Sequence, residues 1–485
     1  MSAQPGSRVP IVSGWHPDPT ICRVGSRYYL AHSSFELFPG VPLWVSEDLV
    51  HWEQLGNALT RPAQFTPGSS APNRGVYAPT LRHHDGRFWL ITTNVDGPGQ
   101  LAYHATDPAG PWSDPIRLYG LEGIDPDLAW DEDGTCYLTA CTSAPGRYEI
   151  SQARVDLHAE QLLEEPRVIW RGTGLQWPEG PHLYRIGSWW YLLIAEGGTE
   201  RGHVISVARA ARPDGPFTGH PQNPIFSHRS TDHPVHSVGH GDLVQTPAGD
   251  WAMVYLGSRP RGYLPGHHVL GRETFLAGID WVDDWPVVVQ DRFQLSAPDH
   301  SFTARFSEGK WPSHPRWVSP GVALADVARA EEAGLVLAPG EAENGAPSGL
   351  GFRVRDLRWT AEADVLASES AALRVRMDER HWAEVRVAEG RVEARLQVGP
   401  AEKTASEAIQ GEWLTLILRA VDSLTDGPDD LVLALRDEAG ERELLQVDGR
   451  YLSTETAGGF GGRLLLVHAT AGPSHLMELR YQSQE

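Results

Sequence analysis

The sequence of 485 residues has few of the features that mark membrane proteins or disulfide-rich proteins. It contains three cysteines, Cys22, Cys136 and Cys141, an odd number whose spacing fits neither a zinc site nor a disulfide framework. No stretch approaches the roughly 18 apolar residues that a membrane span requires. The opening segment, MSAQPGSRVP, lacks the apolar core of a signal peptide, so we expect a protein of the reducing cytoplasm.

Positive charge is also scarce. Lys and Arg together number 41 against 63 Asp and Glu, which gives a formal net charge of −22. A polyanion such as DNA would be repelled, and no basic run offsets that repulsion. We therefore expect a neutral partner or substrate, and neither a nucleic acid nor a membrane. The sequence leaves the oligomeric state open, including a homo-oligomer.

Glycine, proline and tryptophan are abundant instead, with 50, 37 and 18 residues respectively. Such a mixture is typical of many short strands joined by turns. The chain is too long for one ordinary hydrophobic core, which predicts at least two domains.

Five segments in the first part of the chain share one layout: a short apolar strand, a turn that contains Gly, and a second strand rich in aromatic residues. Their equivalent apolar positions are Ile21, Leu81, Leu128, Leu183 and Leu243, at intervals of 47–60 residues. A four-stranded propeller blade needs roughly 40–50 residues plus loops. The repeat predicts a five-bladed β-propeller over about residues 8–298. An array of β-sandwiches does not explain why the hairpin recurs at blade intervals.

Beyond Pro298 the pattern changes to an alternation of apolar and polar residues, as in residues 373–398 and 412–421. Alternation with period two marks strands that have one solvent-facing side. Turn signals such as Glu389-Gly390 separate these strands. This all-β pattern predicts a concanavalin-like β-sandwich over residues 299–485, with residues 301–317 as the linker and entry to it.

Acidic residues precede the first strand of several repeats. Asp18 and Asp125 lie three positions before the reference apolar residue of their repeats, and Glu179 lies four positions before its own. In the last repeat, His240 lies three positions before the reference residue. Innermost propeller strands line the central channel, so residues at a common end of them converge on one opening. Singly, each residue is explained as a turn former, because Asp before Pro commonly starts turns. Jointly, the clustering of like charges is costly and indicates a function.

Carboxylic groups gathered around a pocket suit glycoside hydrolysis, in which one group acts as base and another as acid. A third, charged neighbour raises the pKa of the acid by like-charge repulsion. Aspartic-protease chemistry uses two Asp residues that share a proton at contact distance, an arrangement that separate blades disfavour. The rival from another class is a sugar-binding propeller without catalysis.

Four segments resemble glycoside hydrolase family 43: GWHPDPTI (14–21), GIDPDLAWDEDG (123–134), WPEGPHLYRI (177–186) and GRETF (271–275). The stretch over residues 33–59 is similar to the β-xylosidase branch of that family, which carries an appended C-terminal β-sandwich. The resemblance implies that Asp18 is the general base and that Glu179 is the general acid. It also implies that Asp125 orients this acid and raises its pKa.

The resemblance assigns substrate contacts as well. It implies that Arg272 grips the sugar in the first subsite and that Phe35 walls that subsite. Tyr77 stands where the family usually has Trp, and the smaller ring alters stacking on the sugar. Phe460, in GGFGG, is the candidate for an aromatic residue that the sandwich contributes to the rim of the pocket. The alternative is that Phe460 is an ordinary aromatic residue at the end of a strand. His240 lies near the channel floor, where relatives often hold a calcium ion or a water. A structural calcium ion is therefore a candidate there, and no cofactor is required.

The implied activity is that of an exo-acting, inverting hydrolase that releases xylose from the non-reducing end of short xylo-oligosaccharides. An α-L-arabinofuranosidase side activity accompanies it. The tyrosine at position 77 leaves α-L-arabinofuranosidase open as the main activity, with arabinanase as a further alternative. Inversion requires the carboxyl groups of base and acid to lie roughly 6.5–9.5 Å apart, rather than about 5–5.5 Å.

Overall fold

The computed structural model describes residues 4–484 except 6, 66–70, 98, 145, 307–308, 312–313, 343–344 and 346. The described chain is built almost entirely from antiparallel strands, with one-turn α-helices at Leu324–Val327 and Thr454–Ala457 and a 3-10 helix at Gly449–Leu452. Within the same residues, no helix has the length and apolar character needed to cross a membrane.

Five antiparallel sheets form a five-bladed β-propeller, which confirms the fold that the repeat predicts. Blade 1 contains Thr20–Val24, Arg27–Ala31, Gly40–Ser46 and Glu53–Leu59. Blade 2 contains Thr80–His84, Arg87–Thr92, Gln100–Ala105 and Ile116–Leu118. Blade 3 contains Ile124–Trp130, Cys136–Ala144, Arg147–Asp156, Gln161–Leu162 and Arg167–Trp170. Blade 4 contains Glu179–Ile186, Trp189–Glu196, Val204–Ala210 and Thr218–Gly219. Blade 5 contains His236–Gln245, Trp251–Ser258, Glu273–Val282 and Trp285–Val289.

Two larger sheets form the β-sandwich. The eight-stranded sheet contains Phe302–Arg305, Ala328–Glu331, Gly334–Leu337, Trp359–Leu366, Trp413–Val421, Asp430–Asp437, Gly440–Asp448 and Ser474–Ser483. The six-stranded sheet contains Leu350–Arg353, Ala371–Arg376, His381–Ala388, Arg391–Val398, Ala401–Ala408 and Leu464–Ala469. Three short strand pairs complete the fold: Gln4–Pro5 with Gln294–Leu295, Leu37–Phe38 with Ser319–Pro320, and Gly340–Glu341 with Pro347–Ser348. Because Phe302–Arg305 pairs within the sandwich, part of the predicted linker belongs to a sheet. The domain boundary at 298/299 stays a prediction.

Apolar side chains of the alternating pattern pack between the two sheets. Leu373, Val385, Leu418 and Leu433 are fully buried in that core. Two sheets that pack face to face interdigitate the side chains of their inner faces, so the period-two pattern becomes one continuous core.

The hairpin turns follow the sequence signals only in part. Asp85 and Gly86 have φ of 48° and 72°, so both central residues are left-handed, as a type I′ turn requires. At the similar Asp133-Gly134 pair, only Gly134 is left-handed, with φ of 79°. There the Asp131 carboxylate stabilises the turn instead and accepts a hydrogen bond from the backbone N–H of Asp133 at 3.1 Å. The same residue pair therefore builds two different turns.

Candidate active site

One backbone conformation recurs where the chain enters the innermost strand of a blade. Asp18, Asp125, Gly180 and His240 lie three positions before the reference apolar residue of their blades and have φ of 55°, 55°, 56° and 48°. A left-handed conformation is costly for a non-glycine residue and persists where the surrounding structure imposes it, often at functional sites. In blade 4 glycine takes the equivalent position, so Glu179 projects from one residue earlier, at a register irregularity of its strand.

Asp18 is buried and held by two donors. Arg272 donates a hydrogen bond from Nη1 to Oδ1 of Asp18 at 2.8 Å, and Ser33 donates from Oγ to Oδ2 at 2.5 Å. Burial by itself raises the pKa of Asp18, but the charge of Arg272 and the hydrogen bond from Ser33 outweigh it, and the pKa falls below its ordinary value. The carboxylate is therefore held ionised and can accept a proton from a water molecule.

Asp125 and Glu179 are linked through the backbone. The N–H of Gly180 donates to Oδ2 of Asp125 at 3.0 Å, which places this carboxyl beside the peptide that follows Glu179. Burial, and then the neighbouring carboxyls of Glu179 and Asp18, raise the pKa of Asp125 well above its ordinary value. Burial and like-charge repulsion disfavour the ionised form, so Asp125 keeps its proton to a higher pH than an ordinary carboxyl does.

Two buried histidines lie against these carboxyls. His203 Nδ1 lies 3.1 Å from the carbonyl oxygen of Ser237 and donates to it, and Nε2 of the same ring lies 3.7 Å from Oε1 of Glu179. His240 Nδ1 lies 3.9 Å from Oδ1 of Asp18, and burial lowers the pKa of His240 to about 4. A Cβ on Gly180 would lie 2.9 Å from that same Nδ1, so glycine lets the ring approach the backbone.

Aromatic rings from the propeller and the sandwich form a wall beside Arg272. Phe35 is almost fully buried and stacks on Trp15 at 5.2 Å and on Phe460 at 6.2 Å, measured between ring centres. Tyr77 meets Phe35 and Phe460 edge-on at 5.5 Å and 6.0 Å. The guanidinium carbon of Arg272 lies 5.4 Å from the ring centre of Phe460. The sandwich therefore contributes one ring to a wall that otherwise belongs to the propeller.

A cavity of about 900 Å³ opens at this wall, within the size range of small-molecule sites. The propeller lines it with Glu179, Thr199 and Arg272, and the sandwich lines it with Glu455 and Phe460, among other residues. Of the other predicted site residues, Asp18 contacts Arg272 of this lining, and Phe35 and Tyr77 contact Phe460. Asp125 accepts from the N–H of Gly180, the residue after Glu179, and His240 lies beside Asp18.

All eight residues that the sequence predicts for the site are thus brought into one region. Sequence reasoning missed the residues that support them: Ser33, Thr199 and His203. Oγ1 of Thr199 accepts a hydrogen bond from Nη1 of Arg272 at 2.9 Å. These three lie outside the blade position that was compared across the repeats, so no spacing signal could single them out.

An ionic network fills the centre of the channel below the site. Arg82 donates from Nη1 to Oδ2 of Asp242 and from Nη2 to Oδ1 of Asp127, both at 2.8 Å. Tyr184 donates its hydroxyl to Oδ1 of Asp242, and His182 Nδ1 lies 3.0 Å from Nη2 of Arg82. Asp127, His182 and Asp242 each lie one position before the reference residue of their blades. Extending the blade comparison by two positions would have found them.

This network bears on the calcium ion expected near His240. Calcium takes about 6–8 oxygen ligands, mainly carboxylates and carbonyls. The channel carboxylates Asp127 and Asp242 are already paired with Arg82. Nowhere in the described ranges do three His, Cys, Asp or Glu side chains converge as metal ligands would. These side chains do not fit an ion held by protein carboxylates, and the calcium ion near His240 stays a prediction.

The sequence model of the glycosyl hydrolases family 43 matches residues 7–286. The chain is 36% identical to a xylosidase/arabinosidase of Butyrivibrio fibrisolvens, with 95% of each chain covered. It is 37% identical to a non-reducing end alpha-L-arabinofuranosidase of Bacteroides ovatus, over 80% of this chain and 77% of that one.

Solved structures agree with this relationship over both domains. A Bacteroides ovatus GH43B protein superposes with a TM-score of 0.87 at 31% identity and covers 98% of this chain and 99% of that chain. A xylan beta-1,4-xylosidase from Bacillus halodurans superposes with a TM-score of 0.85 at 26% identity and covers 98% and 100%. Because the family model spans more than half of the chain and these relatives span nearly all of it, this protein is a glycoside hydrolase that belongs to family 43, as its motifs indicate.

Proposed function

We propose that this chain is an exo-acting, inverting glycosidase that removes a terminal pentose from the non-reducing end of short oligosaccharides. β-Xylosides are its main substrates and α-L-arabinofuranosides its side substrates. The similar proteins above are named for xylosidase, arabinosidase and arabinofuranosidase activities, which supports this substrate class.

One observation carries the proposal: the carboxyl groups of the site are held in opposite protonation states. Arg272, 2.8 Å away, keeps Asp18 ionised, whereas burial and the neighbouring carboxyl of Glu179 keep a proton on Asp125. Glycoside hydrolysis needs one carboxylate and one carboxylic acid at the same pH, and environments that push two pKa values apart supply them.

In the proposed reaction, Glu179 donates a proton to the leaving glycosidic oxygen while Asp18 removes a proton from the attacking water. The bond from the anomeric carbon to the leaving oxygen breaks as the bond to the water oxygen forms on the opposite face, which inverts the configuration. Asp18 and Glu179 project from blades 1 and 4, which supports a separation wide enough for a water molecule. Asp125, bonded to the N–H of Gly180, keeps the proton on the acid side of the site.

The shape of the cavity supports exo action. Residues of the sandwich loop, including Glu455 and Phe460, line one side of it, while Glu179 and Arg272 line the propeller side. A pocket lined by two domains accepts the end of a chain more readily than its middle.

A second candidate, α-L-arabinofuranosidase as the main activity, is favoured by Tyr77. Its hydroxyl donates to the backbone carbonyl of Asn73 at 3.0 Å, so the hydroxyl is engaged within the protein. The ring is smaller than the tryptophan usual in the family, which leaves more space on that side of the sugar.

Turnover of paired aryl substrates tests the proposal. We expect the 4-nitrophenyl β-D-xylopyranoside to have the higher kcat/KM and the α-L-arabinofuranoside a lower but measurable one. The reverse order would make arabinofuranosidase the main activity. Binding of either sugar without turnover would indicate the non-catalytic propeller and overturn the proposal.

Two further measurements test stereochemistry and mode of action. Proton NMR should show α-xylose as the first product from the β-xyloside, and β-xylose first would contradict inversion. Xylotetraose should yield xylose one unit at a time from the non-reducing end. Early release of xylobiose would contradict exo action.

A further inference from the structure

Asn73 lies where the propeller meets the sandwich, next to the aromatic wall. Its side-chain Oδ1 accepts a hydrogen bond from the backbone N–H of Phe460 at 2.7 Å. Its own backbone N–H donates to Oε2 of Glu36 at 3.1 Å, and its carbonyl accepts from the hydroxyl of Tyr77 at 3.0 Å. One residue of the propeller is therefore hydrogen-bonded to the backbone of Phe460, to the hydroxyl of Tyr77, and to Glu36, the chain neighbour of Phe35.

The packing around Asn73 is close on both sides of this contact. A Cβ on Gly459 would lie 2.5 Å from Nδ2 of Asn73, so only glycine leaves room for the amide. Gly459 also has φ of 76°, a conformation that glycine adopts without strain. Asn73 itself has φ of 62°, and asparagine is among the non-glycine residues that tolerate this region. Both partners thus have side chains and backbones suited to the contact.

Glu36 fixes Asn73 from the propeller side. It is buried, and its Oε1 lies 4.0 Å from Nη2 of Arg376, a residue of the sandwich. The two domains therefore meet around Asn73 through the contact of Glu36 with Arg376 as well as through the amide.

The Phe460 loop has hydrogen bonds of its own on both sides of the ring, from the N–H of Gly458 to the carbonyl of Thr454 and from Oγ1 of Thr454 to the carbonyl of Gly461. Glycines flank Phe460 on both sides, at 458–459 and 461–462, and glycine gives the chain more conformational freedom than any other residue. The contacts that restrain Phe460 are its backbone hydrogen bond to Asn73 and its ring contacts with Phe35, Tyr77 and Arg272.

We propose that Asn73 is a positioning residue that holds the Phe460 loop of the sandwich against the propeller and so fixes the position of the Phe460 ring beside the sugar pocket. The hydrogen bond from the N–H of Phe460 to Oδ1 of Asn73 is called the clasp below. This inference rests on the proposed function, because that function gives the wall a sugar to hold. A displaced ring weakens contacts with the sugar in the ground state and the transition state alike, and such a loss raises KM more than it lowers kcat.

Two substitutions at position 73 test whether the acceptor oxygen of the clasp is what matters there. Asn73→Gly removes the side chain without the strain that alanine would carry at a positive φ, and Asn73→Asp keeps an acceptor oxygen at the same place. We expect Asn73→Gly to raise KM for the aryl xyloside about three- to tenfold, the equivalent of one net hydrogen bond, with little change in kcat. Asn73→Asp should restore most of the loss. An aspartate variant as impaired as the glycine variant would overturn the proposal.

A double-mutant cycle with Phe460→Ala distinguishes positioning from general destabilisation. If Asn73 acts through Phe460, Asn73→Gly raises KM in the wild-type background and has no further effect once the ring is gone. Equal KM effects of Asn73→Gly in both backgrounds would contradict the clasp.

Amide hydrogen exchange tests the clasp without any substrate and so separates its failure from a failure of the proposed function. The Phe460 N–H should exchange at least several-fold faster in Asn73→Gly than in the wild-type protein, and near the wild-type rate in Asn73→Asp. Unchanged exchange over residues 454–462 in Asn73→Gly would overturn the clasp whatever sugar the enzyme hydrolyses. Wild-type protein that hydrolyses neither aryl glycoside would count against the proposed function and leave the exchange result standing.

Discussion

Arg272 donates a hydrogen bond to Oδ1 of Asp18 at 2.8 Å, and its guanidinium carbon lies 5.4 Å from the ring centre of Phe460. A single cation thus holds the proposed base ionised and contacts the ring that the sandwich adds to the pocket. The proposed base from blade 1 and an aromatic ring from the second domain thus meet at this one side chain.

Replacing Arg272 with methionine should move the acid limb of the pH profile of kcat/KM to higher pH. Burial raises the pKa of Asp18 and Arg272 lowers it, so without the cation Asp18 takes up its proton at a higher pH. The base is then lost earlier as the pH falls. Arg272→Lys keeps the charge and is the matched control. An acid limb at the wild-type position in Arg272→Met would contradict this electrostatic role.

Asp18→Asn should lower kcat by about 10²–10⁴-fold, the usual contribution of a positioned base. The amide has nearly the shape of the carboxylate but cannot accept the proton of the attacking water. The matched control is Asp133→Asn, at an exposed turn of blade 3, which should keep wild-type kinetics. Steady-state rates on the aryl xyloside measure both, and comparable activity of the two variants would exclude Asp18 as the base.

Glu179→Ala should impair substrates in proportion to how poor their leaving groups are. A nitrophenolate leaves with little protonation, whereas a sugar alkoxide needs a proton from the acid. The loss of kcat/KM on xylobiose should therefore exceed the loss on 4-nitrophenyl xyloside by about 10²-fold or more. Equal losses on both substrates would rule out the acid role.

Asp125→Asn should move the alkaline limb of kcat/KM to lower pH. Burial and then the Glu179 carboxyl raise the pKa of Asp125, so Asp125 holds its proton as the pH rises. An amide at position 125 removes the carboxyl whose pKa is raised, so the site loses its proton at a lower pH. The amide oxygen still accepts from the N–H of Gly180, which preserves the local geometry. An alkaline limb that stays at the wild-type pH or moves to higher pH would contradict the coupling between the carboxyls of Asp125 and Glu179.

Arg82→Met should destabilise the propeller by about 3–5 kcal/mol, because it leaves Asp127 and Asp242 as buried carboxylates without their cation. Denaturant unfolding measures this loss. The exposed pair of Arg329 with Glu331 supplies the control, since Arg329→Met should change stability by about 0–1 kcal/mol. A loss at Arg82 no larger than the loss at Arg329 would show that the channel network contributes little.

The sequence predicted much of the propeller because a blade is a local structure. Each repeat carries its hairpin, its turn residues and its apolar strand within a short segment, and the aspartates of blades 1 and 3 lie at the same offset from it. Glu179 lies one position farther from its reference apolar residue than Asp18 and Asp125 do from theirs. Gly180 takes the left-handed position in that blade, because only glycine leaves room for the His240 ring. A constraint imposed by another blade is not visible in the spacing of this one.

By itself, the sequence determined the five-fold repeat, the change to a sandwich pattern after residue 298, and the carboxylates that mark the site. Period, turn chemistry and residue type act over short distances along the chain, so a reader of the sequence can recover them. Only the tertiary structure decided that Arg272 reaches Asp18, that Arg82 lies between two channel carboxylates, and that Asn73 binds the Phe460 loop. These partners lie 254, 160 and 387 residues apart in sequence, and the closure of the propeller and its docking with the sandwich bring them together.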